Sequence, residues 1–323
     1  MKPKFNTFLV ILLVVIAAGI LIYAKNFANK NHETSKDNLT GTIRVSGAWA
    51  LYPIMVTWGQ EFEKIHPNIK VEVSAGGAGK GVTDALSGMV DIGMVSREIK
   101  KEEIAQGGVF VPVVKDAVFV TVSKNNPVIS SLNEKGMTKS MFLKLWINGT
   151  QMTWGEIAGI NSQEKVNVYT RSDSCGAADT WAKYLGGTQE NLKGIAVYGD
   201  PGIAEAAKQD NLGIAYNNLN YAYDLKTGLP VEGLAVVAID VNGNGKVDPE
   251  EDASDKGKAL KAVDSGVYPS PPARDLYLIT KDSFKSPTKE FVQWILTDGQ
   301  KYVDTSGYIK LKDAKIAEAL KKI

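Results

Sequence analysis

Apolar positions recur along the chain with two periods. Leu51, Ile54, Met55, Trp58, Phe62 and Ile65 fall at i, i+3, i+4 and i+7 spacing, the stripe of an amphipathic helix. Val82, Ala85, Leu86 and Met89 mark a second helical face, and a last helix is expected over Asp313–Ile323. Thr42–Ser46, Lys70–Ser74, Val90–Val95, Val109–Ser123, Val166–Tyr169 and Leu234–Ile239 read as strands. This alternation predicts an α/β fold with a mostly parallel sheet. One stretch breaks it. Phe8–Ala24 is apolar throughout, follows Lys2 and Lys4, and ends at Lys25. It is close to the shortest membrane span, about 17 residues. An uncleaved membrane anchor is expected over 1–25, with a cleaved signal segment as the alternative. Either way the body lies outside the cytoplasmic membrane. Residues 26–40 are polar and aperiodic, and read as a tether.

Composition narrows the function. Among 323 residues, 37 Lys+Arg stand against 36 Asp+Glu, a net charge of +1. That leaves no global basic field for nucleic acid. The one cysteine, Cys175, permits neither an intramolecular disulfide nor a Cys-based zinc site. His32 and His66 are the two histidines, too few for most His-metal chemistry. At roughly 100–200 residues per domain, about two lobes are expected.

Three strand-to-helix turns share one design: Ser46-Gly47-Ala48-Trp49-Ala50, Ala75-Gly76-Gly77-Ala78-Gly79-Lys80-Gly81, and Arg171-Ser172-Asp173-Ser174-Cys175-Gly176-Ala177. Small residues let a ligand approach the backbone, and a helix N-terminus presents unpaired N–H groups with partial positive charge. One such turn usually serves only its own geometry. Three, with an arginine nearby, point to an anion site. Asp91 interrupts an apolar strand and is turned to solvent, capping a loop, or placed in a cleft. Arg171 follows a strand end, where it is either a surface ion pair or a two-pronged grip on an oxyanion.

These motifs, in this order, resemble the phosphate-binding subunits of ABC-type importers. The likeness runs through Val90-Asp91-Ile92-Gly93-Met94-Val95-Ser96-Arg97, Leu212-Gly213-Ile214-Ala215-Tyr216, Tyr268-Pro269-Ser270-Pro271-Pro272-Ala273-Arg274 and Phe291-Val292-Gln293-Trp294. It spans about Gly41 to Leu311. It implies a two-lobed periplasmic-binding-protein fold of the type II kind, with crossover strands: residues 41–112 plus 268–323 in one lobe and 113–267 in the other. It assigns Asp91 to accept the proton of hydrogen phosphate and so exclude sulfate, and Arg171 to grip the anion. Further ligand contacts map onto Ala48, Trp49, Ala50 and Leu51, onto Ala78 and Gly79, and onto Cys175, Gly176 and Ala177. It implies capture of an oxyanion, phosphate first, by a monomer that closes around it and delivers it to an ABC permease. No enzymatic activity is implied.

The chain departs from that family where hydroxyls are usual: Ala48, Ala50, Ala78, Cys175 and Ala177 stand in their places. A hydrogen bond to a charged group contributes roughly 1.5–3 kcal/mol. Losing about three would nominally weaken binding more than about a thousandfold. Replacement donors are needed, from Ser46, Trp49, Ser74, Ser172, Ser174 or Lys80, or else the ligand is a larger oxyanion or an organic phosphate. Trp49 either closes over the ligand or anchors its loop. Cys175, at a helix start beside Arg171, is expected to have a lowered pKa if exposed; the simpler reading is a small residue filling a serine position.

A second motif lies at 240–251. Asp240, Asn242, Asn244, Asp248 and Glu251 occupy positions 1, 3, 5, 9 and 12 of a calcium loop, Gly245 position 6, and the Lys246 carbonyl position 7. A structural calcium is expected, against the alternative of an Asn-Gly hairpin turn. Two other functions fit the same residues less fully. One is a calcium-stabilised surface sensor or interaction protein with no transport role. The other is a cleft enzyme, for which Asp91 and Cys175 are a thin set.

Overall fold

The computed structural model describes residues 39–323. The expected membrane segment and nearly all of the tether lie outside the described residues. Among those described, no helix is long and apolar enough to cross a membrane. Among the described residues, nine strands form the sheet: β1 (Gly41–Gly47), β2 (Ile69–Ala75), β3 (Ile92–Val95), β4 (Gly108–Ser123), β5 (Asn167–Arg171), β6 (Ile195–Val197), β7 (Gly213–Asn218), β8 (Leu234–Val237) and β9 (Ala273–Lys281). Their order is β2-β1-β3-β9-β4-β7-β5-β6, with β8 also on β4.

The sheet is mixed, where a mostly parallel one was expected. β1 runs parallel to β2 and β3, and β5 to β6 and β7. Every pairing of β4 or β9 is antiparallel. The cause is topological. β4 is 16 residues long and serves two regions. Its first part, to Ala117, pairs with β9, and Val118–Ser123 pair with β7 and β8. The core divides at the same place. Val111, Val113 and Val114 belong to a cluster built on Ile43, Trp58 and Phe291, whereas Ala117–Phe119 belong to one built on Trp146, Trp181 and Tyr216.

Local sequence explains the first helix. Pro53 sits in its first turn, where a missing N–H costs nothing, and Tyr52–Ile65 buries Ile54, Met55, Trp58 and Phe62. Leu51 falls in the preceding 3₁₀ turn Trp49–Leu51, and Ile65 is exposed. The second helix, Ala78–Leu86, stops short of Met89, which is exposed. The final helix, Asp313–Leu320, packs Ala319 into the first cluster.

Candidate functional site: the cleft between the two lobes

The first two turns are held together by backbone approach. Gly47, at φ +134°, ends β1, and a Cβ there would stand 2.8 Å from the Gly81 Cα. The amides of Gly76 and Gly77 donate to the Gly47 carbonyl at 2.9 and 3.0 Å, and Ala48 donates to the Met94 carbonyl at 2.9 Å. The C-terminal ends of β1 and β3 and the start of helix Ala78–Leu86 therefore share one corner of the first lobe.

The third turn meets this corner from the second lobe. Arg171 ends β5, and Cys175 caps helix Gly176–Tyr184, its Sγ accepting from the Ala178 amide at 3.5 Å. The Gly79 amide donates across the cleft to the Ser174 carbonyl at 3.1 Å. A Cβ on Gly176 would overlap the Ser96 carbonyl and hydroxyl of the first lobe. Trp49 lies against Gly199, and its ring is 6.3 Å from that of Tyr198, edge to face. The three turns are thus brought together, with the lobes in contact.

Several of the expected ligand amides are already committed. Ala48 is bonded to Met94, Leu51 to the Ala48 carbonyl at 3.1 Å, Gly79 to Ser174, and the Cys175 amide to Gln189 Oε1 at 3.2 Å. Helix geometry leaves the Ala78, Gly176 and Ala177 amides without intrahelical acceptors, since each lies in the first turn of its helix. Trp49 and Ala50 begin the 3₁₀ turn of the first corner.

Arg171 is wholly buried and lies between two carboxylates. Its Nε and Nη2 donate to Asp173 at 2.8 and 2.6 Å, and Nη1 donates to Asp200 at 2.8 Å. Three of its five N–H groups are thereby taken. Burial opposes its charge, but Asp200 and Asp173 outweigh burial and hold the guanidinium firmly protonated. Asp173 also accepts from the Gly199 amide at 3.1 Å, and Asp200 accepts from Asn218 Nδ2 at 2.6 Å. Asn218 accepts in turn from Arg274, whose Nε donates to the Ser96 carbonyl at 2.8 Å. Arg274 faces Asp116 across the two crossover strands, 3.2 Å away. Burial, opposed by Arg274, pushes the Asp116 carboxyl up to about 6. One charged network therefore runs from the crossover strands to the third turn. With Arg171 neutralised by two carboxylates, a bound anion would be held mainly by helix-end N–H dipoles.

Asp173, Asp200, Asn218 and Ser96 were not among the expected site residues. The i, i+2 spacing of Arg171 and Asp173 carried a signal for one of them. The acidic first turn Gly199-Asp200-Pro201 carried another.

Asp91 is a correction. It lies before β3, at the end of that strand opposite the cleft, and its side chain is about a third exposed. Its Oδ2 accepts from the Arg44 amide at 2.8 Å and lies 3.6 Å from Arg44 Nε. Asp173, by contrast, comes within reach of the first lobe at Gly77, and it shares Arg171 with Asp200. The activated reading of Cys175 depends on exposure, and that condition is not met. The residue is buried, and burial, opposed by Arg171, pushes its thiol up to about 12.

The calcium-type loop is wound on its own side chains. Asp240 is buried and accepts from the Gly243, Asn244 and Gly245 amides at 2.7, 3.2 and 2.9 Å. Glu251 accepts from the Val241 and Asp248 amides at 2.9 and 3.2 Å. Asn242 and Asn244 each donate to Asp248 at 2.8 Å, and Lys246 Nζ stands 2.8 Å from the same carboxylate. The donors are the hard oxygens that calcium takes. Among the described residues, however, no three His, Cys, Asp or Glu side chains are gathered closely enough to hold a metal ion.

The family model of the PBP superfamily domain matches residues 32–299. This chain belongs to the PBP superfamily. Its relatives include the phosphate-binding protein PstS of Bacillus subtilis, 25% identical over 315 residues and covering 95% of each chain. PstS of Methanocaldococcus jannaschii is 26% identical, over 88% of this chain and 86% of that relative. Among solved structures, a putative phosphate ABC transporter substrate-binding protein of Clostridium perfringens with bound phosphate superposes with a TM-score of 0.68 at 23% identity. The match covers 84% of this chain and all of that one. An ABC-type phosphate transport receptor of Vibrio cholerae gives 0.60 at 17% identity, over 83% of this chain and 100% of that one. These likenesses establish the mixed α/β, two-lobed fold.

Proposed function

We propose that this PBP superfamily member is an extracytoplasmic solute-binding protein that captures inorganic phosphate between its lobes and delivers it to an ABC permease. The observation that carries the reading is the meeting of helix starts Ala78–Leu86 and Gly176–Tyr184 from opposite lobes beside buried Arg171, joined by the Gly79–Ser174 hydrogen bond. Such ends stabilise an anion without a free point charge, and an anion bridging both lobes favours the closed state. The PstS names of the curated relatives agree in ligand class. The chain acts as a monomer, and its apolar N-terminal segment holds it at the membrane. Titration calorimetry with phosphate, sulfate, molybdate and glycerol phosphate tests the reading. Phosphate should bind most tightly; heat from none of them would sink it.

The reading includes a calcium ion in the 240–251 loop, supported by the ligand spacing and by the backbone wrapped around Asp240. Asp240, Asn242, Asn244, Asp248, Glu251 and the Lys246 carbonyl would hold it. Bound calcium would replace the Lys246 and asparagine N–H groups as the partner of Asp248 and stiffen the second lobe. Millimolar calcium should raise the unfolding temperature of the wild type and leave Asp240→Ala unmoved. A wild-type midpoint indifferent to both calcium and a chelator would remove the ion.

A further inference from the structure

The missing hydroxyls of the cleft call for another donor, and the structure sorts the candidates. Ser46 Oγ donates to Asp84 at 2.6 Å, Lys80 is paired with the same carboxylate, and Ser74 Oγ donates to the Val45 carbonyl at 3.3 Å. Both hydroxyl protons are thus spent inside the first lobe, and Lys80, half exposed, is held to Asp84. Ser172 and Ser174 are exposed to water. Trp49 differs from all of them: its indole Nε1 is buried and has no hydrogen-bond partner. An unpaired buried donor is costly, so an acceptor is expected at that point when the site is filled.

The placement of the ring narrows where that acceptor can lie. Trp49 Cε2, the atom bonded to Nε1, would lie 3.4 Å from a Cβ on Gly199. Cζ2 of the six-membered ring would lie at the same distance, so the ring edge running from Cε2 to Cζ2 lies against the second lobe at the Gly199 turn. The Gly199 amide there donates to Asp173, which in turn holds Arg171. The ring is steadied by Tyr52 of its own lobe at 6.5 Å and by Tyr198 of the other at 6.3 Å. The ring thus comes from one lobe and rests on the Gly199 turn of the other, whose amide is bonded to the carboxylate that holds Arg171.

We infer that the indole N–H of Trp49 donates to the bound oxyanion, replacing a hydroxyl and coupling ligand capture to lobe closure. The inference rests on the oxyanion reading above. It would also supply a donor to a cleft lined with Ala48, Ala50, Ala78 and Ala177. The donor sits on a rigid aromatic that forms its contact only when the lobes meet.

Calorimetry of the full-length chain with inorganic phosphate, wild type beside Trp49→Phe, tests it. Phenylalanine keeps an aromatic ring against Tyr198 and Gly199 and removes the N–H. The expected result is a dissociation constant raised about ten- to a hundredfold, the range for a hydrogen bond to a charged group. In the ¹⁵N-indole spectrum of the wild type, the Trp49 proton should move downfield on adding phosphate. Equal affinities of the two proteins, or an indole resonance unmoved at saturation, would overturn the inference and leave the oxyanion reading standing. A wild type that does not bind phosphate would instead remove the reading itself. Should Trp49→Phe not fold, the indole resonance decides alone.

Discussion

Arg171 and Asp91 are charged residues at the margins of apolar strands, and they occupy opposite ends of the structure's logic. Arg171 closes β5, at the strand end where the lobes meet, and is sealed between Asp173 and Asp200. Asp91 precedes β3 and is tied to Arg44 of the neighbouring β1, at the strand end away from the cleft. The strand between Asp91 and the cleft has four residues, about 13 Å at about 3.3 Å each. In an open α/β sheet, ligands lie beyond the carboxyl ends of the strands. The difference between the two residues is therefore one of strand polarity, and charge or local hydropathy does not report it. It also separates two kinds of ion pair: one buried, where removal leaves charges stranded, and one screened by water.

The largest effect should follow from breaking the buried pair. Arg171→Met would leave Asp173 and Asp200 facing each other without their shared cation. Removing one partner of a buried ion pair typically costs about 3–5 kcal/mol. Urea unfolding should show a loss of that order, and phosphate affinity should fall beyond about a hundredfold. A variant that keeps its stability would mean that the two carboxylates are protonated or hydrated.

A substitution at the lobe contact separates binding from folding. Gly176 opens a helix, and its φ is not positive, so alanine suits its backbone. Its Cβ would collide with Ser96 of the other lobe. Gly176→Ala should therefore leave the ligand-free protein as stable as before while holding the lobes apart. Overpacking costs about 1–3 kcal/mol, which predicts phosphate binding weakened roughly five- to hundredfold. Undiminished affinity would show that the ligand is held without this contact.

Features encoded within a few residues are legible in the amino-acid sequence alone. The Gly-rich turns, the Pro53 helix start, the strand Val109–Ser123 and the helix beginning at Gly176 all arise from local periodicity and backbone preference. Features that depend on chain segments far apart are not. Asp200 lies 29 residues beyond Arg171 and reaches it only because β6 and the following helix fold back beside β5. Ser46 looks like a spare donor until Asp84, 38 residues on, accepts its hydroxyl. Cys175 looks activated by a helix end and an arginine; burial outweighs both and pushes the thiol up. The mixed sheet is hidden for a related reason. β4 and β9 have the apolar pattern of any buried strand, and their antiparallel course follows from crossing between lobes.

The smallest expected effect is the sharpest test of the strand-polarity argument. Asp91→Asn keeps an acceptor for the Arg44 amide and removes only the partly exposed ion pair with Arg44. Such pairs contribute about 0–1 kcal/mol, so unfolding should shift by no more than that. Phosphate affinity should stay within about twofold, because no contact of Asp91 leads into the cleft. The ratio of phosphate to sulfate affinity is the decisive readout. A carboxylate that accepts the proton of hydrogen phosphate repels sulfate, which has no proton to offer, so its removal would collapse that ratio. An unchanged ratio in Asp91→Asn places any such discrimination elsewhere than Asp91. A collapsed ratio would mean that the β3 end holding Asp91 faces the ligand, contrary to the direction in which β3 runs.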